Sequence, residues 1–129
     1  VPGHVANRLQ AAVWREAIHL IAEGVASVGD VDRAIWAGPG LRWAAMGPTT
    51  LFHLAAGEDG LSAFCDRYAD SFNRWWDDLG TPKLDTPIAR TLIEGLAEAN
   101  GGATVDDLAR RRDALIVAIL TATRGLNRA

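Results

Sequence analysis

From His4 to about Glu23 the residues Val5, Leu9, Ala12, Val13, Ala17, Leu20 and Ile21 recur every three or four positions. That spacing gathers side chains on one face of an α-helix. Trp14 and Ile18 lie off the stripe, so this first helix is expected to pack on two sides, with Gly24 as its stop. Ser27 with Asp30 three positions on has the form of a helix start, leading a short helix through Val31, Ala34 and Ile35. Gly38-Pro39-Gly40 is expected to break it, because proline removes a donor and glycine frees φ. A short turn over 41–46 then ends at Gly47-Pro48.

Thr49 or Thr50 is expected to start a helix through Leu51, Phe52, Leu54 and Ala55 that stops near Gly57. A longer one is expected from Leu61 to Leu79, with Phe64, Cys65, Tyr68, Phe72, Trp75 and Trp76 as its apolar content. Gly80-Thr81-Pro82 closes it. Thr86-Pro87 combines a capping side chain with proline at the first helical position, and the helix it opens should run to Asn100 before Gly101-Gly102. Thr104 and Asp107 resemble a capping box for a last helix with Leu108, Leu115, Ile116, Ile119 and Leu120, whose end is expected to fray. No segment has the alternation of a strand. The fold class expected is therefore all-α, an orthogonal domain of six or seven helices spanning residues 1–129.

Composition narrows the function classes. The 129 residues are 49% hydrophobic and 22% charged, with a net charge of −3, an ordinary balance for one globular domain. The longest basic run is Arg110-Arg111-Arg112. Asp106 with Arg110 and Asp107 with Arg111 stand four apart, so this run is expected to be a solvated helix face. No clustered basic face offers itself to nucleic acid. No apolar run is long enough to span a bilayer, and no signal segment is evident. The single cysteine, Cys65, excludes an intrachain disulfide and fits a reducing compartment, so the cytoplasm is the expected location. The opening Val1-Pro2-Gly3, without an initiating methionine, gives the expectation of a piece cut from a longer protein.

Candidate chemistry is sparse. Glu16, His19 and Glu23 share a helix face, but a carboxylate-bridged metal site needs a second such helix, and none is present. They are expected to be surface or partly buried polar residues. Cys65 and His53 lack a third partner for nucleophilic chemistry. Gly38-Pro39-Gly40 lies between helices and follows no strand, so it does not have the setting of a dinucleotide loop.

One stretch goes further. Pro2-Gly3-His4-Val5-Ala6-Asn7-Arg8-Leu9 resembles the Pro-Gly-Phe-x-x-Asn-Arg opening of the C-terminal domain of 3-hydroxyacyl-CoA dehydrogenases. Gly38-Pro39-Gly40-Leu41-Arg42-Trp43-Ala44-Ala45-Met46-Gly47-Pro48 is similar to that family's Gly-x-Gly…Met-Gly-Pro element. Trp14-Arg15-Glu16-Ala17, Glu23-Gly24-Val25-Ala26, Gly40-Leu41-Arg42-Trp43 and Phe52-His53-Leu54 look most like the carnitine dehydrogenase branch. Cys65-Asp66-Arg67-Tyr68 and the triple arginine lean toward the lambda-crystallin and gulonate dehydrogenase group. The match covers most of residues 2–80 and thins beyond.

The resemblance implies a fold like the C-terminal domain of 6-phosphogluconate and 3-hydroxyacyl-CoA dehydrogenases. It also implies an upstream Rossmann domain, absent from this chain, that binds NAD and supplies the catalytic base. The substrate would be a 3-hydroxy acid or its CoA thioester, of the 3-hydroxybutyryl-CoA, L-carnitine or L-gulonate class, and the partner a second copy in a homodimer. The family's cleft asparagine falls on Asn7, which by itself would be assigned to helix-end hydrogen bonding. His4 stands in place of the usual phenylalanine, and with His53 and Trp43 it is a candidate for the cleft wall. Arg42 occupies a position more often apolar in acyl-CoA enzymes. It suits a carboxylate in bidentate fashion, and equally an ion pair at a surface. Trp14, Trp36, Trp43 and Phe52 are candidates for an aromatic wall around a quaternary ammonium, or for core and interface packing. The rival class is a non-catalytic helical dimerisation or ligand-binding module, with Trp75 and Trp76 in a subunit interface.

Overall fold

The computed structural model describes residues 2–127. Among them every regular element is helical: α1 (Val5–Ala22), α2 (Val28–Ile35), α3 (Leu41–Trp43), α4 (Pro48–Ala55), α5 (Gly60–Asp78), α6 (Thr86–Asn100) and α7 (Val105–Asn127). The all-α expectation holds. The frayed end expected beyond 127 lies outside the described residues.

Local chemistry sets the boundaries. Ser27 Oγ accepts from the Asp30 N–H at 3.1 Å, the expected start of α2. At α7 the Thr104 N–H donates to Asp107 while the Asp107 N–H donates to the Thr104 hydroxyl, both at 3.1 Å, a reciprocal capping box with aspartate in the usual glutamate position. Two starts fall earlier than the sequence suggests. Asp85 caps α6 by accepting from Ile88 N–H at 3.0 Å, which makes Thr86 the first helical residue. Pro48 opens α4 behind Gly47, because proline is tolerated in a first turn that needs no donor. The expected i,i+4 pairs on α7 give way to Arg110–Asp107 at 2.6 Å, with Arg111 over the Trp36 ring at 5.8 Å.

Gly38-Pro39-Gly40 breaks the helix as expected: Gly38 is non-helical at φ −98° and ψ −111°, and the short α3 follows directly after this kink. Pro39 has no N–H to give the preceding turn. Gly40 lies so near the Ile35 carbonyl oxygen that a Cβ would sit 2.7 Å from it.

The core is small and lies where α1, α2 and α6 meet. Its buried apolar members are Ala17, Ile18, Val28 and Val31. Ile18, off the main stripe, is 4% exposed, whereas Val5 at the head of the stripe is 77% exposed. Glycine permits the α2–α6 contact: a Cβ on Gly95 would lie 2.5 Å from Val28 Cγ2, and one on Gly29 3.1 Å from Ala99. α4 and α5 form a separate hairpin around stacked rings, Phe52 on Phe64 at 4.7 Å, Phe64 by Tyr68 at 4.8 Å and Phe72 by Trp75 at 5.2 Å. α7 leaves Leu115, Ile116, Val117, Ile119 and Leu120 exposed. The accessible surface is 10303 Å², where a compact monomer of this mass exposes about 6,600 Å².

Candidate functional site

The exposed stripe of α1 becomes one wall of a cleft. Leu9, Val13, Ala17 and Ile21 line it from α1, Val28 and Ile35 from α2, and Leu92 and Leu96 from α6. The cleft has a volume of about 870 Å³, the size range of small-molecule sites. Asn7 and Gln10 contribute amides, Trp14 and Trp43 contribute indoles, and Asp32 contributes the single ionisable side chain among the described lining residues.

Each element has a reason to place its residue here. Asn7 sits in the first turns of α1, where an exposed side chain clears the helix body. Asn7 and Trp14 are seven residues apart and so share a face. Helical side chains lean toward the N-terminus, which tilts the Trp14 indole toward Asn7. Trp43 joins the cleft lining from α3, the short helix that follows the kink at Gly38-Pro39-Gly40.

The remaining sequence candidates are elsewhere. His4 is the residue before α1, extended and exposed, without a side-chain capping bond. Arg42 precedes Trp43 on α3, exposed and without an ion pair among the described residues. His53, on α4, uses Nδ1 to accept from the Leu61 N–H at 2.9 Å and is outside the cleft lining. Of the four aromatic residues considered together, Trp14 and Trp43 share the cleft. Trp36 faces Arg111, and Phe52 belongs to the α4–α5 ring stack. Asp32 was not singled out from the sequence, since a surface aspartate in a short polar-faced helix has no local signature. Only packing α1 and α6 against α2 turns it toward a cleft.

There is no strand among the described residues from which a glycine loop could lead into a helix, and no lysine or arginine lines the cleft.

Comparison with known proteins accords with this geometry. The model of the 3-hydroxyacyl-CoA dehydrogenase C-terminal domain matches residues 3–84. The L-carnitine dehydrogenase of Streptomyces coelicolor is 46% identical over 95% of this chain and 39% of its own length. That of Streptomyces griseus is 44% identical over 99% of this chain and 38% of its own. That of Bacillus cereus is 41% identical over 93% and 37%. The chain thus spans about two fifths of the length of the curated relatives it matches.

Proposed function

The chain belongs to the family of 3-hydroxyacyl-CoA dehydrogenase C-terminal domains, and from that premise we propose that it is the substrate-facing part of an NAD-dependent oxidoreductase acting on a small 3-hydroxy acid. The carrying observation is the cleft that brings Asn7 together with Trp14, Trp43 and Asp32. A dinucleotide-binding domain outside this chain would hold NAD and provide the base.

Within the cleft Asn7 would orient the substrate hydroxyl through its amide, and the apolar walls would exclude water from the carbinol carbon. Arg42, next to Trp43, would meet the carboxylate at the cleft rim if the bound acid extends that way, in the bidentate manner its guanidinium favours. His4, at the head of α1, stands at the same end as Asn7. A free hydroxy acid is favoured over a CoA thioester. A cleft lining without lysine or arginine offers the phosphates of CoA no counter-charge, and the relatives are named for L-carnitine.

The excess of exposed apolar surface supports a homodimer, in which α7 and the Trp75–Trp76 end of α5 cover one another or the neighbouring domain. No helix among the described residues is long and apolar enough to cross a membrane, and the cytoplasm is the proposed location. The rival reading, a non-catalytic pairing module, draws on the same surface but leaves the Asn7 cleft without a purpose.

The test is NADH formation by the full-length protein on L-carnitine, L-gulonate, 3-hydroxybutyryl-CoA and simple 3-hydroxy acids. Turnover of a free hydroxy acid is expected; bound NAD without turnover of any of them would mean the right family with another substrate, and no NAD binding at all would leave the pairing reading.

A further inference from the structure

The Asn7 cleft is electrostatically one-sided. Asp32 is its single ionisable residue among those described, set in a lining otherwise composed of apolar side chains, two amides and the indoles of Trp14 and Trp43. Asp32 makes no ion pair and no side-chain hydrogen bond among the described residues. Its nearest cation in sequence, Arg33, is bound instead to Asp30 at 3.3 Å.

Asp32 also borders a second groove, between α2, α6 and α7, where Arg111 and Arg112 lie. Both have other partners: Arg111 stands over the Trp36 ring and Arg112 bonds Asp113 at 3.0 Å. Asp32 is thus an exposed carboxylate without an ion-pair partner among the described residues, at the edge of an apolar cleft with two indoles.

That combination selects a particular ligand chemistry. An anion would be repelled. A small hydrated metal ion would require several oxygen ligands, and the cleft offers one carboxylate. A primary ammonium would surrender strong hydration to a wall that returns few hydrogen bonds. A quaternary ammonium has no N–H to satisfy, spreads its charge over methyl groups, and is attracted both by indole faces and by a nearby carboxylate.

We propose that Asp32, Trp14 and Trp43 form a subsite for the quaternary ammonium group of a zwitterionic hydroxy acid, with Asn7 serving its hydroxyl from the same cleft. This assignment rests on the dehydrogenase reading above and makes Asp32 a specificity-determining residue. The substrate's carboxylate must then lie away from Asp32, since two like charges in one apolar cleft repel.

The experiment compares full-length protein with its Asp32→Asn and Trp14→Leu variants. The substrates are L-carnitine and its carbon isostere, 3-hydroxy-5,5-dimethylhexanoate, which keeps the shape and the carboxylate and replaces the cation by a neutral tert-butyl group. The expected result is a fall of about tenfold or more in the ratio of kcat/KM for carnitine over the isostere in either variant, with Trp14→Phe restoring part of it. An unchanged ratio would overturn the proposal while leaving the dehydrogenase reading intact.

Calorimetric titration with tetramethylammonium chloride separates the two failures. Saturable binding that weakens several-fold in Asp32→Asn supports the subsite even if no hydroxy acid is turned over; no binding to the unaltered protein overturns it.

Discussion

Glu16 on α1 accepts a hydrogen bond at 2.9 Å from the backbone N–H of Gly80, the residue two beyond the end of α5. One turn along the same helix face, His19 packs so closely on Gly80 that a Cβ there would collide with its ring. Glu16 and His19, expected from the sequence only as surface or partly buried polar residues, thus tie the α4–α5 hairpin to the α1–α2–α6 body. Gly80→Ala should overpack this junction and cost about 1–3 kcal/mol. Glu16→Ala should cost about 1–3 kcal/mol by leaving a part-buried N–H without its charged acceptor. Thermal or urea unfolding checks both, and unaltered midpoints would show that the junction does not hold the hairpin.

His53 has a similar part at the other end of α5. Its Nδ1 accepts the Leu61 N–H in the first turn of α5. His53→Ala should lower stability by about 0.5–2 kcal/mol, the range for loss of a helix N-terminal cap, while leaving KM unaltered. A large KM change with full stability would return His53 to the substrate cleft.

Asp107 gives a pH dependence of known sign. Its carboxyl titrates below the usual 3.8, chiefly because it accepts from the Thr104 backbone N–H, then from the Thr104 hydroxyl, with a smaller contribution from Arg110. A depressed folded-state pKa means the box stabilises α7 at pH values above 3.8 and loses that contribution as pH falls through the lowered value. Carboxyl-detected NMR titration should show the Asp107 pKa moving up toward 3.8 in Thr104→Ala; an unmoved titration would contradict the assignment.

Pairing of subunits is the expected fate of the exposed α7 face. The full-length protein should sediment as a dimer, and Leu120→Asp should shift it toward monomer, since a charge in an apolar interface lacks a partner. A monomer at micromolar concentration would point instead to the neighbouring domain as the cover for α7.

Much of the helical layout was legible in the sequence because its signals are local. Ser27, Thr104, Gly101 and the stripe of α1 each act within a turn or two. Two boundaries shift by a residue or two through competing local solutions: Asp85 outcompetes Thr86 as the cap of α6, and Pro48 enters α4 ahead of the threonines. What the sequence concealed is long-range. Ile18, off the stripe, is buried, while Val5, Leu9 and Val13 on the stripe stay exposed and Leu9 and Val13 line a cleft. Asn7 and Trp43 belong to motifs thirty-six positions apart, and only the folded chain shows that they line one cavity. Asp32, lying on neither motif, could not be found that way.

Asn7→Ala tests the central claim most directly. Asn7 is exposed, has no side-chain hydrogen bond among the described residues, and alanine is the better helix former by roughly 0.5 kcal/mol. The melting temperature of the full-length protein should therefore stay level or rise slightly. If the Asn7 amide orients the substrate hydroxyl, kcat/KM for the preferred hydroxy acid should fall by about ten- to a hundredfold, the loss of one oriented hydrogen bond in the transition state. Unchanged kcat/KM with unchanged stability would contradict the account.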